Sequence, residues 1–299
     1  AGTLGQVIFV RQFLTVSYGN ELCLGLILFA WFLGVTIGAA VGGKAAGRIT
    51  RKALWLVLLV NLLLLVFGVQ FLLLHLIRYF LSVPTGEFLS FGQMFVGTLI
   101  GVFPYSFLIG LVFPFASQTV KGRSGLPSPG GVSLVYSLEA AGSLAAGVLF
   151  TYVLLPHLSS FRIIQLLAVL GALLGLGILG MEKRPDEKLG KFSRLVLLPW
   201  LIFILVFPFG SVENKAGELR WISQTGNITR IETRQSHYGL LELGESSGQY
   251  SLYSNGQPIA TFPDPYSYLE LVHCSMVQHF KPRNVLLVGG NLEIISMIL

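Results

Sequence analysis

Long apolar runs, separated by short polar segments, fill roughly the first two thirds of the chain. A helix that spans the apolar core of a bilayer needs about 20 such residues. Candidate runs lie at residues 3–18, 22–41, 54–77, 94–117, 132–155 and 163–181, of which the first is short and contains Arg11. A seventh run, at residues 195–210, extends about 24 Å, slightly less than the hydrocarbon thickness. The pattern predicts an α-helical polytopic membrane bundle of about seven transmembrane helices over residues 1–210.

From Glu213 onward the pattern changes to an alternation of apolar and polar positions, which is typical of half-buried strands. The sequences GESSGQ and SNGQ predict turns between these strands, and the Asn-Gly pair of the second is typical of a two-residue hairpin loop. A helical pattern follows over residues 264–280. The apolar run at residues 284–288 then enters a glycine turn. We predict that residues 211–299 form a small β region, one helix and the beginning of a Rossmann-like α/β domain.

Composition and charge agree with a membrane protein. Apolar residues make up 53% of the chain and charged residues 11%, against about 25% charged residues in soluble domains. The loops at residues 44–52, 118–130 and 182–194 carry 11 basic residues, whereas the loops between them carry 2. Because basic loops remain in the cytoplasm, this bias predicts that the tail, residues 211–299, is extracytoplasmic. The basic charge therefore orients helices and does not indicate a nucleic-acid partner.

Several residues within the predicted helices are candidates for special roles. Gly34, Gly38 and Gly42 recur every four residues and predict a flat helix face in close contact with a neighbouring helix. Glu139 lies at membrane depth, where an ionised carboxylate is costly unless it is paired or hydrated. It is interpreted either as a proton or ligand site or as one half of a structural ion pair. Arg11 is interpreted as a side chain that extends to the interface. The two cysteines match no metal-ligand spacing, so no metal site is predicted.

Four short motifs in the tail occur in the same order as in a known family. They are QSHYG at residues 235–239, YSNGQ at 253–257, YLELVH at 268–273 and VGGNLE at 288–293. Their order resembles the QSxYQ strand, LDGxxQ turn, YHExLVH helix and GGGDG strand end of the polyamine aminopropyltransferases, the spermidine synthases. The glycine-rich membrane half is similar to a bacterial subgroup in which a multi-helix membrane domain precedes a spermidine synthase-like domain.

The resemblance implies a cofactor, a substrate position and a location. Decarboxylated S-adenosylmethionine would be held by Gln235, Gly289 and Gly290, with Tyr268 beside the polyamine. The location would be the inner membrane of a bacterium. The sequence departs from the family pattern in three ways: Leu269 replaces the histidine of the helix motif, GGNLE replaces GGGDG, and no later strand carries the general-base aspartate. The resemblance therefore implies a truncated C-terminal domain, inactive as it stands, in which no catalytic residue is assigned.

Three functions remain open at this point. The favoured one is a membrane anchor or assembly subunit that contacts the lipid bilayer and either other membrane subunits or a second copy of itself. The second is a working membrane-anchored aminopropyltransferase whose remaining sheet lies outside this sequence. The third is a small-molecule or proton-coupled transporter that uses Glu139.

Overall fold

The computed structural model describes residues 2–124, 128–180, 187–264 and 266–299, with backbone alone at 122–124, 128–129, 179–180 and 187–196. Helices in this part of the chain are α1 (Gly2–Val16), α2 (Leu22–Arg48), α3 (Lys52–His75), α4 (Ile77–Phe80), α5 (Phe91–Ser124), α6 (Ser128–Leu149), α7 (Leu155–His157), α8 (Ser160–Gly180), α9 (Glu187–Val206), α10 (Phe209–Thr225), α11 (Leu269–Met276) and α12 (Leu292–Ile298). A π-helical turn, Phe150–Leu154, joins α6 to α7. The strands are β1 (Thr229–Gln235), β2 (Leu240–Ser246), β3 (Gln249–Ser254) and β4 (Gln257–Phe262).

Five helical stretches of the described chain are long and apolar enough to cross a membrane, and a bent pair makes a sixth. The five are Leu22–Arg48, Lys52–His75, Phe91–Lys121, Gly130–His157 and Ser160–Ile178. Five of the seven predicted runs therefore form candidate spans in the described chain, and the run at residues 195–210 belongs to the bent pair. The run at residues 3–18 forms a shorter helix.

The first run forms α1, a helix of 15 residues that extends about 22 Å. Its side chains Phe9 and Phe13 are fully buried in the bundle. The Phe9 ring packs edge-on against Phe67 of α3 and Tyr105 of α5, with centroids 5.1 and 5.2 Å apart. The apolar character of α1 therefore reflects burial against other helices, and the helix is too short to be a span by itself.

The last run is part of a broken helix. Leu197–Val206 of α9 and Phe209–Thr225 meet at a bend of 62°. Pro208 lies at this break. Proline lacks a backbone N–H donor and disfavours helical geometry in the residue before it, so Pro208 interrupts the helix. The chain thus continues as α10 through the predicted boundary between residues 210 and 211. The division into two domains there stays a prediction.

The three predicted packing glycines of α2 lie against α5. Gly34, Gly38 and Gly42 are buried, and a Cβ atom on Gly38 would clash with the carbonyl oxygen of Phe107. Gly110 of α5 faces the backbone of α2 in the same way. Glycine on both helices lets the two backbones touch, so α2 and α5 form the tightest seam in the described bundle.

The tail contains the predicted small β region, a four-stranded antiparallel sheet in the order β1-β2-β3-β4. Asn255 and Gly256 form the hairpin loop between β3 and β4, and Ser247 and Gly248 form the loop between β2 and β3. All four residues have positive φ. The sheet packs on α10 through Trp221, which is fully buried and edge-on to Tyr253.

The predicted strand at residues 284–288 is not part of the sheet. Leu286 and Val288 are 89% and 86% exposed. A strand needs a neighbour to satisfy its backbone groups, and the described residues provide none for this segment. The glycine turn and the helix after it do form: Gly289 and Gly290 have positive φ and α12 follows. The described chain therefore shows no Rossmann-like domain.

The β region sits at one end of the bundle, and the basic connection between α2 and α3 lies at the other. Gln224 of α10 donates to the carbonyl of Thr15, and the hydroxyl of Tyr18 donates to the carbonyl of Gln224. At the opposite end, Lys52 donates to Gln118, which brings the α2–α3 connection next to the end of α5.

Candidate functional site

A cleft of about 630 Å³ lies between one face of the sheet and the segment that follows the glycine turn. Tyr250, Leu252 and Ile259 form its sheet side. Tyr268 and the segment 290–294 form the opposite side. Its walls are mainly apolar, with Tyr268, Asn291 and Glu293 among the lining residues, a composition common in small-molecule sites.

Glu293 ties the two sides of this cleft together. Its side chain is almost completely buried, and Oε1 accepts a hydrogen bond of 2.6 Å from the backbone N–H of Asp264. The Asp264 carboxylate in turn accepts from the N–H of Ser267 at 3.1 Å, and hydrogen bonds from Ser267 lower the pKa of Asp264. Asn291 caps α12 by accepting from the N–H of Ile294. The polar groups near the glycine turn are thus already bonded within the chain.

Three of the four residues that the family resemblance assigns to the cofactor and amine lie at this cleft. Tyr268 and Gly290 line it, and Gly289 precedes it in the turn. Gln235 lies at the end of the edge strand β1 and is not among the lining residues. Its side-chain oxygen accepts a hydrogen bond of 3.0 Å from Nη2 of Arg11. The assignment of these residues to decarboxylated S-adenosylmethionine stays a prediction.

Arg11 bonds helix α1 to the sheet, a role that the sequence analysis did not predict. Besides Gln235, its guanidinium donates to the backbone carbonyls of Ser236 at 2.7 Å and His237 at 3.0 Å. These bonds join α1 of the bundle to the turn after β1. An arginine in a short apolar helix indicates that the side chain needs a polar partner. The sequence does not identify these partners, because they lie more than 220 residues away.

A second joint between the bundle and the sheet is fully buried. Arg220 of α10 bonds at 2.5 Å to Oε1 of Glu242 on β2, and at 2.6 Å to the side chain of Gln224. Arg230 lies 3.7 Å from the same carboxylate oxygen. The sequence analysis missed this pair because it did not predict helix α10. A signal was present in the spacing of Arg220 and Gln224, which places both side chains on one helix face.

Arg78 of α4 holds together the loops of the bundle that face the sheet. It is completely buried and donates to the carbonyls of Val16, Pro84 and Glu87. Its guanidinium also stacks over the ring of Tyr18, 4.8 Å from the centroid. These contacts hold the connection between α4 and α5 against the loop that carries Tyr18.

Glu139 does not line the interior of the bundle. It lies on the exposed side of α6, the span with the smallest buried share of the five, 11% against 33–44% for the others. The described residues contain no group of three or more His, Cys, Asp or Glu side chains that could hold a metal ion.

The fold defines a mostly helical protein with helices apolar enough for a membrane and a small antiparallel sheet at one end. The chain is 29% identical over 217 residues to the polyamine aminopropyltransferase of Leptospira interrogans serogroup Icterohaemorrhagiae serovar copenhageni. The match covers 68% of this chain and 40% of that protein, so the chain spans less than half of its relative. No family model and no solved structure matches the chain. A distant spermidine synthase-like relationship is therefore supported.

Proposed function

We propose that this chain is an integral membrane protein of the spermidine synthase-like group, located in the inner membrane of a bacterium. The bundle anchors the sheet to the bilayer, and the sheet lies on the extracytoplasmic side. Support comes from the five apolar helices and from the distant match to an aminopropyltransferase. The position of the basic connection around Lys52, at the end of the bundle opposite the sheet, supports the orientation.

We further propose that residues 1–299 do not themselves transfer aminopropyl groups and act as an anchor or assembly subunit. The hydrogen bond from Arg11 to Gln235 carries this proposal. It engages the Gln235 side chain, which does not line the cleft of Tyr268 and Gly290. An amine must also lose a proton before it attacks, and a general base contributes about 10²–10⁴-fold to such a step. The buried carboxylate of the cleft, Glu293, is bonded to the Asp264 amide.

The purified chain of residues 1–299 is expected to form no spermidine from putrescine and decarboxylated S-adenosylmethionine. Spermidine and methylthioadenosine should stay at the level of a reaction without protein, as measured by mass spectrometry. Turnover that Tyr268→Phe and Gln235→Ala abolish would overturn the proposal. Tyr266→Phe is the matched control, because Tyr266 is 84% exposed and does not line the cleft.

The orientation predicts a labelling result on the native cysteines. Cys274 in α11 is exposed and Cys23 in α2 is buried. A membrane-impermeant maleimide should therefore label Cys274 in spheroplasts, and Cys274→Ser should remove the signal. Labelling that appears only after the cells are lysed would place the tail in the cytoplasm and contradict the proposal.

The exposed position of Glu139 favours an assembly role over a transporter. A transport pathway needs its ionisable residues toward the bundle interior or a water-filled cavity, whereas Glu139 points outward from α6. Further membrane subunits or a second copy of the chain are the proposed partners for this side of α6.

A further inference from the structure

A narrow cleft of about 170 Å³ lies between α1 and the junction of α6 with the π-helical turn. Its walls are mainly apolar, and a guanidinium and an imidazole are among the lining groups. The lining residues on which the argument depends are Leu4, Val7, Phe150, Leu155, Arg11 and His237. We name it the Arg11 cleft. The proposed function assigns no role to it.

In a bilayer centred on the candidate span Gly130–His157, the Arg11 cleft would reach from the middle of the membrane toward its boundary. The hydroxyl of Thr3 bonds to that of Ser143 at 2.8 Å, and Ser143 is near the midpoint of the span Gly130–His157. Arg11 follows Thr3 by eight residues in α1, a rise of about 12 Å. Half of the hydrocarbon thickness is about 15 Å. In such a bilayer the guanidinium would lie close to the level of the lipid phosphates, with the apolar part of the cleft deeper in the hydrocarbon.

The positive charge of Arg11 is not balanced within the described chain. All three of its bonds go to neutral oxygens, those of Gln235, Ser236 and His237. None of the described ion pairs includes it. A guanidinium has five N–H donors, so donors remain for a further acceptor. Phosphate oxygens are the preferred partners of such a group, because the hydrogen bonds are charge-assisted and match its planar geometry.

We infer that the Arg11 cleft binds an anionic phospholipid. The phosphate accepts hydrogen bonds from Arg11, with His237 beside it. One acyl chain lies along Leu4, Val7, Phe150 and Leu155. Both parts of the ligand are needed to match the site. A free phosphate leaves the apolar walls uncovered. In a zwitterionic lipid such as phosphatidylcholine the trimethylammonium cation offsets the phosphate, so the charge of Arg11 stays unbalanced.

Native mass spectrometry of the full chain in detergent tests this inference. After delipidation, phosphatidylglycerol or phosphatidylcholine with identical acyl chains is added. Wild-type protein is expected to retain one phosphatidylglycerol per chain and to bind phosphatidylcholine at least tenfold more weakly. Arg11→Gln should weaken phosphatidylglycerol binding by about tenfold to one-hundredfold, the usual effect of losing hydrogen bonds to a charged group. Arg162→Gln is the control, because Arg162 is exposed at the start of α8 and outside the cleft.

A second variant separates lipid binding from folding, since Arg11 also holds the turn after β1. Val7→Trp leaves Arg11 intact and fills the apolar part of the cleft, so it should also abolish retention of phosphatidylglycerol. Equal binding of both lipids, or an equal loss in Arg162→Gln, overturns the inference. Displacement of the lipid by millimolar inorganic phosphate also overturns it, because the site would then bind the free anion. The aminopropyl transfer assay does not depend on any of these outcomes.

Discussion

Glu242→Gln is expected to lower the free energy of unfolding by about 3–5 kcal/mol, the usual cost of removing one partner from a buried ion pair. Glu242 and Arg220 are 0% and 2% exposed, so the guanidinium would remain buried without a counter-ion. Arg230, 3.7 Å from the same carboxylate, would keep its ion pair of 3.0 Å with Glu218, so the loss falls mainly on Arg220. The melting temperature of the purified protein in detergent, followed by circular dichroism, measures the effect.

The matched control is Glu232→Gln in the neighbouring strand β1. Glu232 accepts a bond of 2.7 Å from Arg234, but the two side chains are 53% and 80% exposed. Exposed pairs contribute about 0–1 kcal/mol, so this variant should melt close to the wild type. Similar melting temperatures for both variants would show that the Arg220–Glu242 pair does not hold the sheet to α10.

Gly38→Leu is expected to prevent the close packing of α2 on α5. A Cβ atom at residue 38 has no room beside the carbonyl oxygen of Phe107, and backbone cannot move aside as a flexible side chain can. Overpacking of a well-packed core costs about 1–3 kcal/mol or more. The variant should therefore melt lower than the wild type, or fail to elute as a single species in size-exclusion chromatography.

Gly43→Leu in the same helix provides the comparison. A Cβ atom at residue 43 meets nothing within 4 Å, so this side chain faces outward without a clash. It should be inserted and melt like the parent. If Gly38→Leu behaves in the same way as Gly43→Leu, then α2 and α5 are not in contact through their glycines.

Local features of the tail could be predicted because their causes are local. The Asn255-Gly256 pair favours a turn with two positive φ angles, and the structure has that turn between β3 and β4. Gly289 and Gly290 likewise adopt positive φ ahead of a helix. Such preferences depend on the residues themselves and on their immediate neighbours.

Predictions that depended on distant partners were less successful. The apolar run at residues 284–288 has the composition of a buried strand, yet it pairs with no strand in the described chain. Arg11 was interpreted as a side chain that extends to the interface, whereas its guanidinium bonds to Gln235, Ser236 and His237 of the tail. In both cases the residue types were informative about chemistry but not about which part of the chain would come to lie beside them.

The sequence by itself determined the apolar helices of the bundle, the small β region, and the turns that connect its last strands. Helix length, apolar composition and turn propensity are properties of short segments, and they persist in whatever fold contains them. The tertiary structure alone decided that α1 is buried in the bundle and that Pro208 divides the last span. It also decided that Arg11 and Arg220 join the sheet to helices α1 and α10. These outcomes depend on contacts between segments far apart in the chain, where packing and the pairing of buried charges select the partners.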